Sequence, residues 1–166
     1  MNKITLIGMP SAGKTTVGSY IAQKLRFDFL DLDSMVEQKE GRSLIDVMNE
    51  KGPEYFRAME FDFVKDLNKE TKVVISPAGS IILYPDAIDW IVNNCFVVFL
   101  DTPFEVIEER LSKKPKAVAG LKERGLKSIW DERRPIYEKF AHIILDTKGK
   151  TLDQVSEEII DKFVRR

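Results

Sequence analysis

Residues 8–15 read Gly-Met-Pro-Ser-Ala-Gly-Lys-Thr, a complete G-x-x-x-x-G-K-T pattern. The chemistry this spacing can do is polyphosphate binding. Gly8 and Gly13 let the backbone curl until its N–H groups, those of Ser11 and Ala12 among them, converge on one point. A helix starting there adds about half a positive charge. Lys14 can reach β- and γ-phosphates, and the Thr15 hydroxyl can hold Mg²⁺. With Thr16, these residues form the expected cofactor site for ATP and Mg²⁺.

Four other places carry residue types that do chemistry. Asp31-Leu32-Asp33 follows an apolar run. In an extended segment both aspartates fall on one side, suiting one metal-linked and one substrate-hydroxyl role. Asp33 can equally cap a helix starting at Ser34. Arg57 sits among apolar residues in Tyr55-Phe56-Arg57-Ala58-Met59-Glu60, with Glu54, Glu60 and Asp62 as available salt-bridge partners. Arg133-Arg134-Pro135-Ile136-Tyr137 is an arginine pair suited to bidentate carboxylate or phosphate binding, or to a solvated basic face paired with Asp131 and Glu132. Residues 112–127 are lysine-rich and hold Gly120 and Gly125, as a segment closing over polyphosphate would. His142 starts an apolar run and reads as structural. Cys95 precedes Phe96–Leu100 and reads as a buried strand residue rather than a nucleophile.

The elements that must position these groups alternate. Apolar, strand-like runs fall at 4–7, 27–32, 72–76, 96–100 and 142–146. Helical spacing appears at 16–25, 54–67, 103–111 and 151–164. Asp101-Thr102-Pro103 reads as a helix start with proline in the first turn. Alternation of this kind predicts a parallel sheet covered on both faces. Ligands in such folds bind at the carboxyl ends of the strands, which places 8–15, 31–33, 77–80 and 101 together.

The chain has 166 residues, enough for one domain with a substantial core. Twenty-six basic and 27 acidic residues leave a net charge of −1, so no global field draws it to nucleic acid or an acidic membrane. There is no run of 18 apolar residues and no charged-then-apolar leader, and a cytoplasmic protein is expected.

Taken together, the loop at 8–15, Asp-x-Asp at 31–33, Phe56-Arg57 with Glu60, the glycine-bearing turn at 79 and Arg133-x-Pro-Ile-Tyr137 make the chain resemble shikimate kinase over nearly its whole length. The resemblance implies a three-layer α/β P-loop fold of the nucleoside-monophosphate-kinase type, with a five-stranded parallel sheet. It implies a single domain, 1–166, whose core is 1–33, 71–111 and 128–166. A substrate-binding region near 34–65 and a lid near 112–126 complete it. It also implies phosphoryl transfer from ATP to a hydroxyl of a small cyclic acid. By this resemblance Lys14 contacts the transferring phosphate, Thr15 ligates Mg²⁺ and Asp31 supports the metal. Asp33 binds substrate hydroxyls and assists deprotonation. Arg57 and Arg133, with the turn at Ala78-Gly79, hold the acceptor. Arg110 and the lid residue Lys114 lie near the nucleotide.

Two departures stand out. The family's turn after the third strand has three glycines, where this chain has Pro77-Ala78-Gly79. Its lid carries Arg-Pro-Leu-Leu, where this chain has Lys114-Pro115-Lys116-Ala117. Pro77 lacks a donor and Ala78 resists positive φ, so weakened handling of shikimate is expected. Shikimate remains the leading acceptor. The alternatives are another hydroxy or sugar acid, or a nucleotide-binding regulatory module with weakened catalysis. A monomer acting on a small molecule, without nucleic-acid or membrane partners, is expected.

Overall fold

The computed structural model describes all 166 residues. Five strands form one parallel sheet: β1 Lys3–Ile7, β2 Asp28–Asp31, β3 Val73–Ser76, β4 Phe96–Asp101 and β5 Ile143–Asp146. Their order is β2-β3-β1-β4-β5, so β1 is central and the chain crosses from one half of the sheet to the other between β3 and β4. All four pairings are parallel, for example Thr5 opposite Ile75 and Val97. The strands fall on the five apolar runs; the inner β1, β3 and β4 are buried on both faces and have no solvent side, while the edge strands β2 and β5 are partly exposed.

Eight helices cover the sheet: α1 Lys14–Leu25, α2 Leu32–Glu40, α3 Leu44–Val64, α4 Pro85–Asn94, α5 Phe104–Lys113, α6 Leu121–Arg124, α7 Leu126–Phe140 and α8 Leu152–Val164. Strand alternation splits the core. Ile4, Leu6, Val98 and Leu100 face α1 and α8 through Val17, Ile21, Val155 and Ile159. Ile7, Ile75, Val97 and Phe99 face the other way, onto Ile88, Ile91, Ile107, Ile129 and Tyr137 of α4, α5 and α7. A third cluster, Val36, Leu44, Val47, Phe56 and Met59, binds α2 to α3.

Helix boundaries follow local chemistry. Asp31 caps α2 by accepting from the Ser34 N–H at 3.2 Å. Ser43 caps α3, and Thr151 with Gln154 forms a reciprocal capping box on α8. Helix α3 breaks at Gly52 (φ 82°, ψ 166°), just before Pro53, so 44–64 is two helical pieces. The 54–67 stripe is the second of them. Pro103 occupies the N-cap of α5 rather than its first turn. Cys95 caps the end of α4, one residue before β4; burial pushes its thiol pKa up to about 11. His142 is structural, as expected: its Nδ1 accepts from the Val97 N–H at 2.9 Å, and its ring stacks on Phe96.

One contact ties the sheet to α7 at the carboxyl end. The buried Tyr137 hydroxyl donates to the Gly79 carbonyl at 2.6 Å. Tyr137→Phe leaves that buried carbonyl unpaired and should destabilise the fold by about 1–3 kcal/mol, read as a lower urea midpoint at unchanged m-value. A midpoint equal to wild type would show that the contact contributes nothing.

Candidate active site

The phosphate loop runs from the end of β1 into α1. Gly8 (φ 150°) and Gly13 (φ 100°) take the backbone conformations the motif demands, and Ser11 (φ 64°) joins them without being glycine. A Cβ at Gly8 would lie 3.0 Å from the Leu100 carbonyl oxygen, so β4 also excludes a side chain there. Lys14 is 7% exposed, and its ammonium donates to the Gly8 and Met9 carbonyls at 2.9 and 2.8 Å. Burial lowers its pKa to about 8, against the opposing pull of Asp33. The loop is braced from behind. Thr102 Oγ1 donates to the Ala12 carbonyl at 3.0 Å, and Arg110 Nη1 to the Ser11 carbonyl at 3.0 Å.

The two aspartates divide as roles but not in the expected geometry. The segment 31–33 is not extended. Leu32 opens α2, Asp31 is the cap, and Asp33 lies in the first turn. The local reason is that Asp31 Oδ1 takes the helix N–H, which leaves Oδ2 to accept from Thr15 Oγ1 at 2.7 Å. Thr15 and Asp31 thus form one hydroxyl–carboxylate pair beside the loop. Asp33 is half-buried and its Oδ1 is enclosed without a partner. Desolvation by the surrounding protein raises its pKa to about 6, with Lys14 as the main opposing charge.

Behind Asp33 lies a second group of enclosed charges. Arg57 is 7% exposed, its Nε is unpartnered, and its Nη1 reaches Glu54 Oε1 only at 3.4 Å. Glu54 is itself solvent-exposed, so Arg57 is no surface ion pair. Glu60 is fully buried. Its Oε1 accepts from the Ala78 N–H at 2.7 Å and its Oε2 has no partner. Burial, reinforced by the Asp33 charge, raises its pKa well above the usual carboxyl range. Arg133 is buried and donates to the Ala119 carbonyl at 3.2 Å. Arg134, one residue on, points away to Asp101 (2.7 and 3.2 Å) and Glu138. The two arginines are therefore not one basic face. Asp131 and Glu132 pair with Lys127 and Arg124 instead.

A cavity of about 540 Å³ opens at the carboxyl ends of the strands. Its wall holds Pro10 through Val17, Asp33, Ser76 to Gly79, Arg110, Lys113, Lys114 and Lys116. The turn after β5 adds Thr147 and Lys150, and α8 adds Leu152 and Val155. Sequence reasoning missed this last wall; its signal was the loop following a fifth strand at the ligand end of the sheet. Lys14, Arg110, Lys113, Lys114, Lys116 and Lys150 face one carboxylate, Asp33, so the cavity suits a polyanion. Arg57, Glu60 and Arg133 are not on its wall. They lie behind it, where the Ala119 carbonyl of the 116–120 segment reaches Arg133.

The turn after β3 differs from expectation in one physical respect. Neither Ala78 nor Gly79 has positive φ. Glycine is required at 79 by crowding: a Cβ there would sit 2.7 Å from Pro10 Cδ, and 3.0 Å from both the Gly8 carbonyl oxygen and the Tyr137 hydroxyl. Ala78 is therefore unstrained.

The shikimate kinase family model matches residues 10–164. A shikimate kinase of Clostridium botulinum (strain Eklund 17B / Type B) is 38% identical over 160 residues, 95% of this chain and 94% of that one. One from Aquifex aeolicus (strain VF5) is 36% identical over 162 residues, 95% and 94% of the two chains. The chain belongs to the shikimate kinase family. Solved structures agree. Shikimate kinase from Acinetobacter baumannii in complex with shikimate superimposes with a TM-score of 0.87 at 26% identity, covering 99% of this chain and 94% of that one. The Aquifex aeolicus enzyme gives 0.80 at 36% identity, covering 98% and 96%.

As a shikimate kinase family member the chain is an ATP-dependent phosphotransferase with a hydroxyl acceptor, and it uses Mg²⁺. Its residues fit both groups. No cluster of three or more His, Cys, Asp or Glu side chains could hold a metal unaided. The Thr15–Asp31 pair instead offers the sparse donor set of an ion held largely by substrate phosphates and water. No helix is long and apolar enough to cross a membrane.

The buried Glu60 has a thermodynamic consequence. Its folded pKa lies above the unfolded value of 4.5, so the folded state holds the proton longer. Stability therefore falls as pH rises from about 5 through that raised pKa. Glu60→Gln removes the effect. Denaturation midpoints at pH 5 and pH 8 should separate more for wild type than for the variant, and equal separations would contradict a carboxyl held neutral.

Proposed function

We propose that this chain phosphorylates a hydroxyl of shikimate with ATP·Mg²⁺ as donor. The observation that carries the reading is the juxtaposition of Lys14, the unpartnered Asp33 Oδ1 and, behind them, the buried Arg57 and Arg133. A phosphate-binding lysine, a free carboxylate oxygen and two enclosed guanidiniums match a polyanionic donor, a hydroxyl and an acid acceptor in that order. The Acinetobacter baumannii enzyme, solved in complex with shikimate, supports the same acceptor.

In this reading the N–H groups of Gly8, Ser11 and Gly13 through Thr16 cradle the phosphates, while that of Ala12 is donated to the Met9 carbonyl at 3.1 Å. Lys14 leaves its two carbonyl partners for the phosphoryl oxygens, where it offsets charge that grows in the transition state. Thr15 would hold Mg²⁺, with its hydroxyl oriented by Asp31, and the ion when bound would supply charge neutralisation to the nucleotide phosphates. Arg110 and Lys114 border the nucleotide. Asp33 accepts a hydrogen bond from the acceptor hydroxyl and aligns it for attack, taking its proton as the new P–O bond forms. Its pKa of about 6 leaves it ionised at neutral pH and able to do so. Arg57 and Arg133 bind the acceptor carboxylate, with Ala78 and Gly79 flanking the ring. Residues 34–65 form the acceptor region, supported by their separate apolar cluster. Residues 112–126 form a lid. The enzyme is read as a cytoplasmic monomer that acts on a small molecule, a reading its near-zero net charge supports over nucleic-acid binding.

A coupled ADP-release assay over shikimate and other cyclic and acyclic hydroxy acids tests the acceptor; turnover with another acid but not with shikimate overturns it. In the same assay Lys14→Ala should lower kcat by about 10²–10³-fold. Arg57→Ala should raise KM for shikimate about 10- to 100-fold, the loss of one or two charge-assisted hydrogen bonds, while KM for ATP stays nearly unchanged. The reverse pattern would move Arg57 to the nucleotide.

A further inference from the structure

Lys116 stands apart from the other lysines of its segment. It lines the main cavity and also a second cavity of about 290 Å³ between the 116–123 segment and the first half of α3. It is the charged residue at the border between them. Lys113 is engaged by Glu109 at 2.6 Å, whereas neither Lys114 nor Lys116 forms an ion pair; of those two, only Lys116 lines both cavities.

Its backbone is placed by its neighbours. Ala117 packs on the Val36, Leu44, Val47, Phe56 and Met59 cluster, and the Ala119 carbonyl accepts from Arg133. The segment is thus seated on the acceptor region while its lysine faces the nucleotide cavity. Lys14 and Asp33 line the same cavity, so an unpaired ammonium shares it with the phosphate-loop lysine and the unpartnered Asp33 Oδ1.

We propose that Lys116 is a catalytic residue that binds the terminal phosphoryl group of the nucleotide, closing the site opposite Lys14. The inference rests on the phosphoryl-transfer reading above. It assigns the contact to a position where the family's lid motif is apolar, and to Lys116 rather than Lys114. Two lysines held close without an anion repel each other, and a phosphoryl group between them converts that repulsion into two attractions. The contact exists only when a terminal phosphate is present, so it discriminates a triphosphate from a diphosphate.

The test is calorimetric binding of ADP and of β,γ-imido-ATP, each with Mg²⁺, to wild type, Lys116→Met, Lys116→Arg and Lys114→Met. Lys116 is exposed, and thermal unfolding midpoints confirm that each variant folds. Lys116→Met should weaken β,γ-imido-ATP by about tenfold or more and leave ADP within about twofold, the scale of one charge-assisted contact. Lys116→Arg should recover most of the loss. Lys114→Met should weaken both nucleotides alike. Equal losses for the two nucleotides in Lys116→Met, or no loss, overturn the proposal, as does a selective loss confined to Lys114→Met. These readouts need no acceptor, so they stand apart from a failure of shikimate turnover, which would overturn the acceptor assignment instead.

Discussion

Gly79 is pressed between two other elements of the chain, and the site's architecture depends on that approach. Pro10 Cδ and the Gly8 carbonyl crowd the place where its Cβ would be, and the Tyr137 hydroxyl takes its carbonyl. The phosphate loop, the turn after β3 and helix α7 are thereby fixed to each other at one point. Lys14 belongs to the first, Ala78 to the second and Arg133 to the third. A donor-binding group and an acceptor-binding group on separate elements must be held to within a fraction of an ångström for transfer. Tertiary packing around a single glycine provides that. A methyl group at 79 would have to push the phosphate loop and α7 away from the turn.

Around this point the protein gathers charges that would be costly alone. Lys14, Asp33, Glu60, Arg57 and Arg133 are enclosed to differing degrees, yet few of them form direct ion pairs. Lys14 is satisfied by carbonyls, Glu60 by a single N–H, and Arg133 by one carbonyl. Asp33 Oδ1, Glu60 Oε2 and Arg57 Nε have no partner at all. Native interiors rarely leave such atoms unpaired. Three in one neighbourhood are the observation on which the proposed acceptor site rests. The raised pKa values of Asp33 and Glu60 and the lowered value of Lys14 express the same strain, since each charged form lacks the solvation it would have in water.

Much of this was legible in the sequence, for identifiable reasons. The inner strands were readable because they are nearly unbroken apolar runs, and the edge strands β2 and β5 because Phe29-Leu30 and Ile143-Ile144-Leu145 still stand out; Lys14, Thr15 and Arg110 follow from a motif or a resemblance. Helix α4 was not singled out: its stripe of Ala87, Ile88 and Ile91 follows closely on Ile81-Ile82-Leu83, and only Pro85 marks the start. Asp31 and Asp33 were placed on one extended face, because strand periodicity was carried two residues too far, past the point where Asp31 begins capping. Arg133 and Arg134 read as a pair in sequence but are about 100° apart on a helix, so one is enclosed and the other reaches Asp101. Thr147 and Lys150 were invisible because nothing local distinguishes a ligand-facing turn from any other until the sheet order is known.

At Pro77-Ala78-Gly79 the right residues were weighed by the wrong physical effect. Doubt about the acceptor rested on a lost donor at Pro77 and on strain at Ala78. The strain vanishes because φ at 78 is not positive. The Ala78 N–H is occupied by Glu60 and is not available to a ligand, whatever side chain residue 78 carries. What the turn must supply is room at 79 and a donor for Glu60 at 78. This chain keeps both. Only the Pro77 N–H is missing, and Pro77 stands just past the end of β3, where a proline closes a strand without breaking a ladder. Both substitutions therefore fall at positions whose φ is not positive, and Gly79, the one member the packing holds to glycine, is kept.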